Sequence, residues 1–393
     1  MACSYLLSKV VIPEVRKSRR TSKNGKRIER IIMFLIFILG FASWGYLWCS
    51  GLPSLHLNRG VAMSAVFRPV IGDHFKLGIP ELSSATDVTA SAIPSHKIFL
   101  NAPPQQTSIQ DFIQHLADSL HAEIAVAFRD LESEREFFFN ERRMMHAAST
   151  MKVPVMIEVF RQAETNAANR EFCLDDSLLV KNEFSSIVDG SPYSLDVSDD
   201  SDTLIYRHLG RKMPIRQLVE QMITVSSNLA TNLLIELVGA ENIMATLRTL
   251  GVKNMQVRRG VEDLKAYRLG LNNQTDALDM MLTLQAIVER RAASPAACDT
   301  MLAILKRQKF RDGIPAGLPS GTAVANKTGS ITAIAHDCAI VFPESQNVYE
   351  SRKPTRKPYL LVVLTSGIPE EKTGNQIISE ISRKIYHDLI LPL

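Results

Sequence analysis

Cysteine is scarce and poorly placed for cross-linking, with five in 393 residues. Cys3 and Cys49 fall in the N-terminal stretch, leaving Cys173, Cys298 and Cys338, an odd number without paired spacing, so a disulfide framework is not expected. His-Glu-x-x-His and Cys-x-x-Cys spacings are both missing and the nine histidines are scattered, so neither a metal site nor a cofactor is expected. No internal repeat is visible. Charge is nearly balanced at a formal net +4, and that excess is local: residues 1–30 hold nine Lys or Arg against Glu14 and Glu29, so the tail carries +7 and the remainder −3. A slightly acidic body argues against a nucleic-acid surface there.

Apolar residues make up 46% of the chain, enough to bury one large core or two modest ones. Ile31 to Cys49 is free of charge and includes the dense run Ile31 to Leu39, long enough to cross a bilayer, and the basic flank then stays cytoplasmic under the positive-inside rule. We read 1–30 as a basic cytoplasmic tail and 31–49 as a transmembrane anchor or signal segment, with Trp44, Tyr46 and Trp48 suited to a membrane interface. The rest is then exported, periplasmic or otherwise extracytoplasmic, and tethered to the inner membrane. Cleavage near Gly40-Phe41-Ala42 is the alternative, and the bulky Trp48 before Cys49 disfavours a lipoprotein. Residues 50–106, rich in Pro, Ser, Gly and Ala, read as a linker, and 107–393 as one domain.

In that domain a helix is expected over 109–120, followed by strand-like runs at 124–128 and 137–139. Further runs at 323–327, 335–342 and 360–364 precede a closing helix with Ile377, Ile378, Ile381, Ile385 and Leu389 on one face. Residues 150–309 read mostly helical, with Gly239 and Gly251 as stop signals. Strands at both ends and helices between them predict a mixed α/β (α+β) fold in which the two ends meet in one sheet, with a separate helical lobe and a cleft between.

Three motifs carry the chemistry. Ser149-Thr150-Met151-Lys152 is the chain's single Ser-x-x-Lys and puts a hydroxyl one helical turn from an amine that can take its proton. Ser226-Ser227-Asn228 interrupts a helical region, unlike Ser22-Lys23-Asn24 in the tail and Ser345-Gln346-Asn347 in a polar stretch. Lys327-Thr328-Gly329 ends an apolar strand, whereas the second Lys-Thr-Gly, at Lys372, reads as a solvated loop.

With these motifs in this order, residues 107–393 resemble the class A β-lactamases and the wider family of penicillin-recognising serine hydrolases. The likeness extends through Ser226-Ser227-Asn228-Leu229-Ala230-Thr231-Asn232. It implies a five-stranded antiparallel sheet flanked by helices. It also implies that Ser149 is the acylated nucleophile, Lys152 its partner in proton transfer, and Ser226 the donor to the departing amine. Asn228 would hold a substrate amide, Lys327 and Thr328 its carboxylate, and the N–H of Ser330 would share an oxyanion hole with that of Ser149. Glu262, 36 residues past Ser226, would activate the deacylating water. Where the family pattern has an Asn four residues beyond that Glu, this chain has Ala266, with Asn272 and Asn273 later.

The 77 residues from Ser149 to Ser226 exceed the family's usual separation, and the excess is placed in Phe184 to Lys212. Its Asp189, Asp196, Asp199, Asp200 and Asp202 lack an EF-hand Glu and read as a solvated acidic loop bordering the cleft. Cys338 reads as a packed core residue, with a reactive thiol as the alternative. The leading function is a β-lactamase acting on a β-lactam. A D-alanyl-D-alanine peptidase acting on cell-wall peptide and a β-lactam-binding sensory module are the alternatives, and oligomeric state is not legible. Exchanging Phe184–Lys212 for a relative's loop is expected to alter the ranking of substrates by kcat/KM, and an unaltered ranking counts against a role for the loop in substrate choice.

Overall fold

A computed structural model describes residues 108–165, 171–343 and 356–391. The tail, the 31–49 segment, the linker, and the Ser-x-Asn matches at Ser22 and Ser345 lie outside the described residues. Among the described residues no helix is long and apolar enough to cross a membrane.

The helices are α1 (Ile109–Leu120), α2 (Lys152–Ala163), α3 (Ile215–Thr224), α4 (Asn228–Val238), α5 (Ala240–Thr249), α6 (Leu264–Arg268), α7 (Ala277–Val288), α8 (Pro295–Leu305) and α9 (Glu371–Ile385). The main strands are β1 (Glu123–Asp130), β2 (Glu136–Phe139), β3 (Ala323–Ile331), β4 (Ile334–Phe342) and β5 (Tyr359–Ser366). They form one antiparallel sheet in the order β2-β1-β5-β4-β3, so the two ends of the domain interleave as expected.

Both faces of the sheet are covered, which is why its strands read as continuous apolar runs rather than alternating ones. On β5, Leu360, Val362 and Leu364 join the core of the helical lobe, while Tyr359, Leu361 and Val363 join a second core under α1 and α9. That second core takes Ile109 and Ile113 from α1 and Ile377, Ile378, Ile381 and Ile385 from α9. Each such side chain contributes about 1.5–3 kcal/mol relative to exposure. Leu389, in a wide turn following α9, packs partly on the same core.

Helix ends follow local chemistry. Ser108, Ser227, Asp276 and Ser294 each accept a backbone N–H three residues on, opening α1, α4, α7 and α8. Gly239 and Gly251, at φ +79° and +85°, follow α4 and α5 as the stop signals required.

Three expectations need correction. β3 runs through Gly329 to Ile331, so Lys327 is mid-strand rather than terminal. Gly329 is the residue that lets β3 approach another backbone. Residues 173–214 hold no α-helix but carry short strand pairs, Ser177–Leu179 with Lys212–Pro214 and Phe184–Ser185 with Pro192–Tyr193, and a 3-10 turn at Ile205–His208. Lys372 is exposed as expected but lies in the first turn of α9.

The turn Ile314–Gly317 is pressed on α9, where Ser382 Oγ donates to the Ile314 carbonyl at 2.9 Å. A Cβ on Gly317 would meet the Ser379 carbonyl, and would lie 2.8 Å from Ser382 Cβ and 2.9 Å from the Arg383 nitrogen. Gly317→Ala is therefore expected to destabilise the fold by about 1–3 kcal/mol in urea unfolding, and an unchanged midpoint would mean that α9 yields without strain.

Candidate active site

Ser149 sits in a 3-10 turn, Ala148–Met151, whose Ser149 and Thr150 carbonyls accept the N–H of Lys152 at the start of α2. The turn is set by Ala148 at φ +45°, whose N–H donates to His146 Nδ1 at 3.0 Å. Buried His336 on β4 fixes the same segment from below. Its Nδ1 lies 3.1 Å from the Thr365 nitrogen and 2.8 Å from the Ala335 carbonyl, and its Nε2 lies 2.9 Å from the His146 carbonyl. Burial holds this imidazole below its ordinary pKa, with the His146 and Ala335 carbonyls opposing the shift.

β3 lies against this turn. A Cβ on Gly329 would stand 2.9 Å from the Ser149 nitrogen and 3.0 Å from that of Thr150, so only glycine permits the approach. Ser149, Ser226, Asn228, Thr328 and Ser330 all line one cleft of about 280 Å³, together with Asp199, Asp312 and Glu371.

Lys152 and Lys327 lie beneath that surface, fully buried, and converge on one hydroxyl. Ser226 Oγ is 3.2 Å from Lys152 Nζ and 3.1 Å from Lys327 Nζ. Lys152 also donates to the Ser226 carbonyl at 2.7 Å and to Asn228 Oδ1 at 2.9 Å. Burial, then the Lys327 charge, drives Lys152 well below the ordinary lysine pKa, and Asp200 and Glu262 offset only part of this. Burial pushes Lys327 down to about 8, with Asp337 beside it opposing the shift.

Glu262 reaches the same network from the loop before α6. Its Oε1 accepts from Asn228 Nδ2 at 3.3 Å and its Oε2 from the Asp196 N–H at 3.0 Å. Half-burial, aided by the charges of Asp199 and Asp200, raises its pKa above the usual glutamate value, while the two hydrogen bonds pull the other way. The loop is anchored by Asn232, which accepts the Val261 N–H at 2.7 Å and donates to the Val261 carbonyl at 3.0 Å. Asn273 accepts the Arg258 and Arg259 N–H groups at 2.8 and 3.1 Å, closing the loop's neck. Ala266 is buried in α6, so the asparagine that the family pattern has there finds no substitute at that position.

All eight predicted site residues thus meet in one place. What the sequence did not reveal is the part played by the acidic segment. Asp200 and Asp202 are 4% and 6% exposed, a correction to their reading as solvated, because the segment folds down onto the Ser226 turn instead of looping into water. Among the described residues no acidic cluster is arranged to hold a metal ion. Cys338 is a buried core residue: its thiol donates to the Lys327 carbonyl at 3.1 Å, and burial raises its pKa far beyond that of a reactive thiol.

Such a convergence at the edge of an interleaved five-stranded sheet defines a serine hydrolase of the β-lactamase superfamily. Residues 107–389 match the family model described as the Beta-lactamase enzyme family, and the chain belongs to that family. Among curated relatives, Beta-lactamase ROB-1 of Haemophilus influenzae is 24% identical over 318 residues, covering 79% of this chain and 93% of that protein. Beta-lactamase L2 of Stenotrophomonas maltophilia is 26% identical over 271 residues, covering 68% and 81%. Among solved structures, the β-lactamase of Sphaerobacter thermophilus DSM 20745 aligns at TM-score 0.55 with 25% identity, covering 69% of this chain and 93% of that one. An ancestral class A β-lactamase aligns at 0.59 with 22% identity, covering 71% and 99%.

Proposed function

We propose that this chain is a β-lactamase that opens the β-lactam amide through an acyl-enzyme on Ser149 and hydrolyses that ester with water activated by Glu262. One observation carries the proposal: the Asn228 amide bridges Lys152 and Glu262, accepting from the first at 2.9 Å and donating to the second at 3.3 Å. The group suited to acylation and the group suited to deacylation therefore share one hydrogen-bonded network.

Neutral Lys152 has two N–H bonds and one lone pair. With the N–H bonds given to the Ser226 carbonyl and Asn228 Oδ1, the lone pair is left for a hydroxyl proton. In the acylation step Ser149 Oγ attacks the ring carbonyl carbon and passes its proton to Lys152. The carbon–nitrogen bond breaks, and the ring nitrogen takes a proton through Ser226. The Ser149 and Ser330 N–H groups receive the oxyanion, and Lys327 with Thr328 holds the substrate carboxylate. In the second step Glu262 takes a proton from water, the hydroxide adds to the ester, and Ser149 leaves with a proton restored. Because Glu262 must be ionised for this, deacylation falls as pH drops through its raised pKa.

The carbonyl face of this proposal is testable with a chromogenic cephalosporin, following ring opening and intact mass together. Repeated turnover with little adduct is expected from the native protein, no adduct from Ser149→Ala, and an accumulating adduct with turnover lowered about 10²–10⁴-fold from Glu262→Gln. A long-lived adduct on the native protein would favour a binding or sensory role instead, and full turnover in Glu262→Gln would remove Glu262 from the mechanism.

We further propose that the domain is exported and tethered through residues 31–49, on the strength of the uncharged apolar run behind a basic tail. After fractionation of producing cells, the chain is expected in the membrane pellet after carbonate washing and open to external protease once the outer barrier is breached. Recovery in the soluble cytoplasmic fraction would overturn the tether.

A further inference from the structure

Ser226 adopts φ +59°, a left-handed conformation that a serine keeps only where its surroundings hold it on both sides. Two consecutive residues of the Phe184–Lys212 segment do this. On the near side, Ser201 Oγ donates to the Val225 carbonyl at 2.7 Å and lies 3.2 Å from that of Ser226. On the far side, the Asp200 carboxylate accepts the Asn228 N–H at 3.0 Å on each oxygen and the Leu229 N–H at 2.9 Å on Oδ2.

We infer that Asp200 is a positioning residue for proton transfer, clamping the turn that presents the Ser226 hydroxyl to both lysines and the Asn228 amide to Lys152 and Glu262. This rests on the functional reading above. It does not restate the helix cap, because α4 already has one: the Ser227 hydroxyl accepts the Ala230 N–H at 3.3 Å. Asp200 instead reaches in from 28 residues upstream and takes the first two N–H groups of α4, those nearest the reacting centre. Its own seat is built for a carboxylate. The Asp202 N–H donates to Oδ1 at 3.0 Å and the Tyr206 hydroxyl to Oδ2 at 3.1 Å, so every partner is a donor.

Charge adds a second route. Lys152 is acted on by Lys327 from β3, Glu262 from its loop and Asp200 from this segment, the last two favouring the ammonium form. Asp202 and Tyr206 face Asp200 itself. Removing the Asp200 charge therefore lets Lys152 lose its proton at lower pH, while releasing the clamp misplaces the hydroxyl.

The test uses the full chain and the variants Asp200→Asn and Asp200→Glu. Labelled penicillin uptake is measured across pH, and the Lys152 side chain is titrated by NMR without substrate, its resonance assigned by loss in Lys152→Ala. For Asp200→Asn the plateau rate of acylation is expected to fall about 10²-fold, as for a misplaced reacting group, with the acid limb and the Lys152 titration both moved to lower pH. Asp200→Glu keeps the charge and displaces it, so it is expected to hold the native acid limb while recovering part of the rate. A slow Asn variant with an unmoved limb and no recovery by Glu would mean mere structural support and overturn the inference, as would a native rate and titration in the Asn variant. Should Asp200→Asn fail to fold, a displaced limb in Asp200→Glu would overturn it in the same way. A native protein that takes up no label, with Lys152 still shifted in Asp200→Asn, would sink the functional reading and leave the placement of Asp200 standing.

Discussion

The site depends on holding two amines against one hydroxyl where water cannot separate them. Lys152 and Lys327 are both buried and both within 3.2 Å of Ser226 Oγ. In water two ammonium groups so close would repel weakly, but inside the protein each makes the other's charge costly, and desolvation compounds the effect. The cheaper solution is for one amine to give up its proton. Lys152 is the one shifted furthest, and it stands one turn from Ser149. The lowered pKa of Lys152 thus comes from packing rather than from any unusual residue.

Packing of that kind needs a rigid frame, and the sheet supplies it. β3 carries Lys327 on an edge whose neighbour β4 is tied through His336 to the segment before Ser149. Gly329 lets β3 close on the Ser149 turn, and Cys338, opposite Lys327 in the register, fills the space behind the lysine with an inert thiol. The buried Asn326–Asp337 hydrogen bond at 3.0 Å and the Ile314 N–H on Asp337 at 2.9 Å fix the same pair of strands further along. His336, Gly329, Cys338, Asn326 and Asp337 are not among the eight predicted site residues, yet each limits where those residues stand.

On the other wall the frame comes from the segment that precedes the Ser226 motif. The segment between α2 and α3 is held in place by Ser186 and the Ile187 N–H, which donate to the Asp263 carboxylate at 2.9 and 3.0 Å. Those bonds join it to the loop carrying Glu262, and Asp196 returns a backbone N–H to Glu262 itself. Loop, segment and Ser226 turn therefore brace one another, in a region where Ala266 offers no polar group to the carboxylate.

Much of this was legible in the chain. Motif order singled out Ser149, Ser226 and Lys327 because chemistry demands those side chains at short local spacing, and the apolar runs at both ends announced a sheet because strands covered on both faces are built mainly from apolar residues. Gly239 and Gly251 marked helix ends for an equally local reason, backbone angles that other residues resist. Asp200 and Asp202 were misread, since a run of aspartates looks solvated until backbone N–H groups from a distant turn are brought to it. That Gly329 lies against the Ser149 turn was not legible, because the backbone it touches lies 180 residues earlier. The sequence by itself determined which groups were available and the class of fold that gathers them. Only the tertiary structure decided their charge states and their supports, because desolvation and long-range hydrogen bonds exist only once remote segments are packed together.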